Sequence, residues 1–218
     1  MTKNFASSFT FSNEKLQYKV NADIKNAENN FKYIDHYKSN SPLEYRIHNS
    51  TKSYGFIQNF NYKINNKTRI ESGVWYYLKE KEIPEISGSY GESNKFQKDS
   101  SFKAFIKVKS LYKKSVFHIN AGYFIDHLLY TDKIAATDND YSIFSKIHGQ
   151  KLNGNITYRR YFNKFICDAA FITEHIKAQT LNYSGNIPNE TYVTLLSGAK
   201  YSGKSSIINF NIRNEWSY

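Results

Sequence analysis

Gly198, Gly203, Lys204 and Ser205 stand at the spacing G-x-x-x-x-G-K-[ST]. In a nucleotide-binding loop the backbone N–H groups of that pattern cradle phosphates, and a helix begins at the lysine. The preceding segment, Tyr192 to Leu196, reads as a strand, as such a loop requires. The following segment does not read as a helix. Ser206 to Ile212 is β-branched and alternates with period two, and only thirteen residues remain after Ser205 to supply a magnesium-holding Asp on a parallel strand. The pattern therefore predicts a hairpin turn at Ser202-Gly203-Lys204, with nucleotide binding as the competing reading.

His36, His48, His118, His127, His148 and His175 are scattered, and no metal-ligand spacing emerges. His118 and Asp126 share the parity of one segment, and an Asp–His couple could move a proton. Eight residues separate them, which is ~26 Å along a strand, too far to share one. Cys167 falls on an apolar parity and reads as a small hydrophobe rather than a nucleophile. A single cysteine excludes an internal disulfide framework. No enzyme and no cofactor are expected from these residues.

The elements that must position them follow a two-residue period almost everywhere. Leu16, Tyr18, Val20, Ala22 and Ile24 alternate with Gln17, Lys19, Asn21, Asp23 and Lys25. Phe117, Ile119, Ala121, Tyr123 and Ile125 alternate with His118, Asn120, Gly122 and Asp126. Phe165, Cys167, Ala169 and Phe171 alternate with Asp168, and Ile208, Phe210 and Ile212 with Asn209, Asn211 and Arg213. Side chains of a strand point to opposite faces in turn, so one face meets something apolar and the other meets water. No segment carries a helical stripe, and the chain reads as all-β.

Composition narrows the class. The aromatic share of 17% argues against disorder. No run approaches the roughly eighteen apolar residues of a transmembrane helix. The net charge of +11 suggests nucleic acid at first sight. The lysines are dispersed rather than clustered, however, and a profile rich in Lys, Asn and Tyr also fits AT-rich coding. No nucleic-acid partner is expected. The start, Met1 to Ser8, has no apolar leader, so the chain is either cytosolic or not the whole precursor.

Connections alternate between short and long. Short turns stand near Asn13, Asn65-Asn66, Lys113-Lys114, Phe162-Asn163 and Gly203. Longer polar stretches run over 37–43, 82–100, 131–140 and 181–190. They delimit about ten strands: 5–12, 15–36, 44–64, 67–81, 101–111, 115–130, 141–161, 164–180, 191–201 and 205–218. The expected architecture is an antiparallel up-and-down β-meander with every short turn at one end. In a transmembrane barrel that end faces the periplasm, and a strand of ~9–11 residues suffices to cross. Phe11, Tyr62, Tyr112, Phe117, Tyr161, Phe162, Phe165 and Tyr201 flank the short turns as an expected interfacial girdle. The alternatives are a soluble β-sandwich binding module, which also alternates, and a small stand-alone ten-stranded barrel.

The segment Trp75 to Ile86, with its charged run and Ile83-Pro84, followed by Phe96-Gln97-Lys98-Asp99, resembles the barrel of TonB-dependent outer-membrane receptors. The resemblance is to the vitamin B12-receptor-like branch, and Asn30 to Tyr33 followed by Arg46 to Asn49 is similar to the preceding hairpin there. It covers roughly residues 30–110. It implies that residues 1–218 form one part of a larger barrel in the outer membrane, in contact with lipid. A plug domain and the remaining strands would be partners, TonB an indirect one, and a small-molecule nutrient (a siderophore, cobalamin or glycan) the ligand. On that reading Tyr90, Lys95, Phe96 and Gln97 sit on a ligand-binding extracellular loop. Lys19, Asn21, Asp23, Asn120, Asp168, Asn209, Asn211 and Arg213 face the lumen.

Overall fold

The structure, a computed structural model, describes residues 2–84, 93–134, 141–181, 189–203 and 205–218. Twelve strands follow one another, and no helix interrupts them among the described residues. They are β1 (Thr2–Ser12), β2 (Leu16–Ala27), β3 (Phe31–Ile34), β4 (Leu43–Arg46), β5 (Thr51–Lys63) and β6 (Thr68–Ile83), then β7 (Ser93–Tyr112), β8 (Ser115–Ile134), β9 (Tyr141–Tyr161), β10 (Phe165–Thr180), β11 (Asn189–Ser202) and β12 (Ile207–Ser217). Ten form a single antiparallel sheet in chain order, while β3 and β4 pair only with each other. The sheet is open: β1 pairs with β2 alone and β12 with β11 alone.

Local chemistry closes the short turns. Asn13 Oδ1 accepts from the N–H groups of Lys15 and Leu16 at 2.9 and 2.7 Å. Asn65 repeats the device on Lys67 and Thr68 at 2.8 and 2.9 Å. A side-chain acceptor that satisfies the turn's own N–H groups is why Asn favours such corners. Lys113 adopts φ 51° in the tight turn between β7 and β8, where the right-handed twist of a hairpin demands a positive φ. The phosphate-loop pattern is a hairpin too. Gly198 sits within the β11 ladder opposite Asp168 and Asn211, and Gly203 N–H donates to the Ser206 carbonyl at 2.8 Å.

Several boundaries differ from the sequence reading: the expected strand 44–64 is split into β4 and β5, β8 runs on to Ile134, and two differences have a local cause. The second strand ends at Ala27, not at residue 36, because Asn29 turns to φ 52°. Asn29 and Asn49 then clasp each other's backbone carbonyls at 3.0 and 3.3 Å, and the β3–β4 hairpin stands off the sheet above them. The loop expected over 82–100 is shorter, since Ile83 pairs with Lys95 and β7 is in register on both sides from there. Residues 97–100 are polar on both faces, which resembles a loop in composition. A strand wet on both faces needs no apolar side, so composition misleads there.

The register gathers the alternation of all ten strands into two continuous faces. One carries Phe9, Val20, Phe60, Val74, Ile106, Ile119, Ile156, Phe171, Leu195 and Phe210. The other carries Ser8, Asn21, Asn59, Glu71, Lys107, Asn120, Asn155, Asp168 and Asn211. Nothing packs on the apolar face: Phe9 is 58% exposed and Phe210 61%, and Ala27 is the single buried apolar residue among those described. A sandwich would cover that face with a second sheet, and among the described residues no second sheet does so. The apolar face fits hydrocarbon, and the fold is an up-and-down meander of membrane-barrel type.

Along β8 the apolar run extends from Phe117 to Ile125, nine residues spanning roughly 27 Å of strand, close to the apolar band of an outer-membrane barrel. Beyond it, on the same face, stand His127 in β8, His148 in β9, Lys98 in β7 and Lys177 in β10. The aromatic girdle forms at the turn end. Phe117 packs on Tyr158 with ring centroids 4.7 Å apart, and Phe165 on Tyr201 at 5.0 Å. Tyr161 departs from the expected girdle, because its register with Ile166 turns it to the polar face.

Candidate functional site, the polar wall

Every residue expected on the lumen side lies on this one polar face. Asn21 Oδ1 accepts from the Ser8 hydroxyl at 2.8 Å. Asp23 leans over Gly55, where a Cβ would come within 2.1 Å of its Oδ1. Asn120 stands between Lys107 and Asn155. Asp168 receives both arms of Arg159, Nε at 2.6 Å and Nη2 at 3.1 Å, a bidentate pair that fixes both side chains. Arg213 is paired with Glu215. Lys19 lies opposite Thr10 and Asn59, and Asn209 opposite Lys200.

At the turn end this face folds around a cavity of about 880 Å³. Lys109, His118, Arg159, Asp168, Asn211 and Arg213 line it, with Leu111, Ala170 and Leu196 between them. The wall offers donors and acceptors at short intervals. Asn153 and Asn155 each keep a buried carbonyl oxygen that meets no protein donor. No group of three metal-ligating side chains occurs among the described residues. His118 lines the cavity, and Asp126 lies farther up the same strand, on the same face, outside it.

The extracellular-loop set does not gather. Tyr90 lies outside the described residues. Lys95, Phe96 and Gln97 are strand residues of β7, not loop residues, with Lys95 and Gln97 on the polar face and Phe96 on the other. Gln97 is tied to Asp99 at 2.9 and 3.0 Å. Cys167 is half-buried on the apolar face, as its parity requires.

Sequence reasoning missed an aromatic patch on the polar face. Trp75, Phe105 and Phe124 rise there from β6, β7 and β8. Lys103 caps the Trp75 ring at 5.4 Å and Lys107 the Phe105 ring at 5.0 Å. Phe105 lies flat because its neighbour on β6 is Gly73, where a Cβ would come within 2.6 Å of the ring. Glycines on the polar parity of β6 and β8, Gly73 and Gly122, were the available signal: a strand glycine marks close approach of a neighbour. The result is a basic, aromatic stripe across a wall that is otherwise polar and hydrogen-bonding.

No protein-family model and no curated protein sequence matches the chain. Solved structures do. The RagAB peptide transporter is 12% identical and superposes with a TM-score of 0.62 over 99% of this chain and 32% of that one. The RagAB peptide importer in its "open-open" state is likewise 12% identical, with a TM-score of 0.59 over 99% of this chain and 31% of that one. The likeness is one of fold. The chain spans about a third of the neighbours' length.

The turn at Gly203 carries a prediction. A phosphate loop needs N–H groups converging at a helix start, and here they are engaged in a hairpin. Lys204, which lies outside the described residues, replaced by Ala should leave nucleotide binding at background. Micromolar ATP affinity that vanishes in Lys204→Ala would overturn the hairpin reading.

Proposed function

We propose that the chain is a wall of an outer-membrane importer barrel that admits a hydrophilic nutrient. The observation that carries this reading is the pair of continuous faces, one apolar and uncovered, the other polar and lined with hydrogen-bonding and charged groups. An apolar outside and a polar inside are what a lipid-embedded, solute-passing barrel requires. Lys19, Asn21, Asp23, Asn120, Asp168, Asn209, Asn211 and Arg213 then face the lumen. The resemblance to TonB-dependent receptors supplies the rest: a plug seated against this wall, further strands that complete the barrel, and TonB acting indirectly through the plug. The chain is placed in the outer membrane, in contact with its lipid.

The ligand class follows from the wall. Lys103 and Lys107 over aromatic rings suit a solute that carries carboxylates or other anionic groups beside planar or apolar ones. Metal chelates of the siderophore kind, corrinoids and peptides fit this description, and the neighbours' peptide transport is in keeping with it. A neutral glycan would use the asparagines instead.

The connection between β6 and β7 joins two strands at the end that would face outside, and first ligand contacts are characteristically made on such connections. Deleting 86–91 in the assembled receptor should weaken ligand binding while its level in the membrane stays the same. The deletion spares β7, so a loss of assembly is not built into it. Unchanged affinity would refute the assignment of Tyr90 and its neighbours to ligand capture.

A further inference from the structure

His127 in β8 and His148 in β9 are directly opposite each other on the apolar face, just beyond the end of its apolar band. Their rings lie nearly face to face, 4.1 Å between centroids and 31° apart. A hydrogen bond joins the two Nδ1 atoms at 2.8 Å. On the far side of the His148 ring, the Gln150 amide nitrogen donates to Nε2 at 2.7 Å. His127 is exposed and His148 half-buried, so the pair is open to solvent.

We propose that His127 and His148 form a two-imidazole site for a divalent transition-metal ion of tetragonal preference, Cu²⁺ foremost, on the outer surface of the sheet. Imidazole nitrogens bind such ions at about 2.0–2.1 Å. Two ligands in neighbouring positions of a square-planar centre are then about 2.9 Å apart, and two at a tetrahedral angle about 3.3 Å. The observed separation matches the first. Imidazole also suits copper and nickel, and affinity rises along the divalent series to Cu²⁺.

A ligand must present a lone pair on the nitrogen that meets the metal. Gln150 decides which nitrogen keeps the proton. A half-turn of its amide places the carbonyl oxygen on Nε2–H and leaves the Nδ1 lone pair free. Metal entry replaces the Nδ1–Nδ1 hydrogen bond, so the Nδ1 that donates it gives up its proton, to its own ring's Nε2 or to solvent. Fixing the remote nitrogen in this way is how ligating histidines are usually oriented. Across the flanking strands the pair meets Ser100 and Gln179, which bring no competing charge. Lys146 and Lys177 are the cations that the metal must tolerate.

The test is Cu²⁺ titration of the assembled protein, extracted from membranes in mild detergent, read by electron paramagnetic resonance. One ion per chain with a two-nitrogen signature is expected. His127→Asn or His148→Asn should each weaken it about tenfold or more, a loss of the size seen when a site loses its ligand geometry. His175→Asn, on the same face but unpaired with either ring, should leave it unchanged. Gln150→Glu keeps both ligands and supplies an obligate acceptor, so it should tighten binding and guards against a folding artefact in the histidine variants. Equal copper uptake by the wild type and the double histidine variant would overturn the site. Unchanged or weaker binding in Gln150→Glu would overturn the orienting role of Gln150.

Discussion

Refolded alone in detergent or liposomes, the chain should give no heat-modifiable, protease-resistant monomer. The reason lies in its edges. β1 and β12 are each 11 residues long, and each pairs on one side only. Every second residue of such a strand leaves an N–H and a C=O pointing away from the sheet. In hydrocarbon each unpaired group costs several kcal/mol, and a row of them exceeds the net stability of about 5–15 kcal/mol that a typical domain has. The edges are also apolar on one face, with Phe5, Phe9 and Phe11 on β1 and Ile208, Phe210 and Ile212 on β12, all well exposed. Such strands seek partners. If further strands complete the barrel, as proposed, supplying them should rescue assembly. One outcome would overturn the reading. The two edges match in length and in facial pattern, so direct pairing of β1 with β12 would close a narrow ten-stranded barrel with its own tilt and shear. A stable monomer of the chain alone would show that closure, and the fragment reading would give way to a stand-alone barrel.

The meander was legible because side-chain period and connection length are local properties. Leu16 to Ile24 and Phe117 to Ile125 declare their faces without help from any other strand. Asn13 and Asn65 declare their turns through the hydrogen bonds that a short acceptor makes with its own backbone. What escaped needed partners. Residues 97–100 read as loop because they lie beyond the apolar band, where water on both sides removes the alternation that identifies a strand. The end of β2 depends on Asn29 adopting a positive φ, which asparagine tolerates but does not require. The basic, aromatic stripe appears only when the registers of β6, β7 and β8 set Trp75 against Lys103 and Phe105 against Gly73. The His127–His148 pair is 21 residues apart in sequence and meets solely through the β8–β9 register.

Ile106→Lys should destabilise the assembled barrel in lipid by about 2–4 kcal/mol, the cost of a cation facing hydrocarbon near the midplane. Ile106 sits in the middle of the apolar face, opposite Ser72 on β6 and Ala121 on β8, and is 45% exposed to whatever covers that face. Neither small neighbour can shade an ammonium group, and both ends of the band are several residues away along the strand, farther than a lysine stem snorkels easily. The next residue, Lys107, already carries a lysine on the other face, so helix or strand propensity is not at issue. Asn21→Lys, on the polar face, provides the contrast. It loses one hydrogen bond to Ser8 and places its charge toward water, at a cost of about 1 kcal/mol or less. Urea unfolding of the assembled protein in liposomes measures both. Equal costs for the two substitutions would mean that the faces are not divided between lipid and water, and the barrel orientation would fall with them.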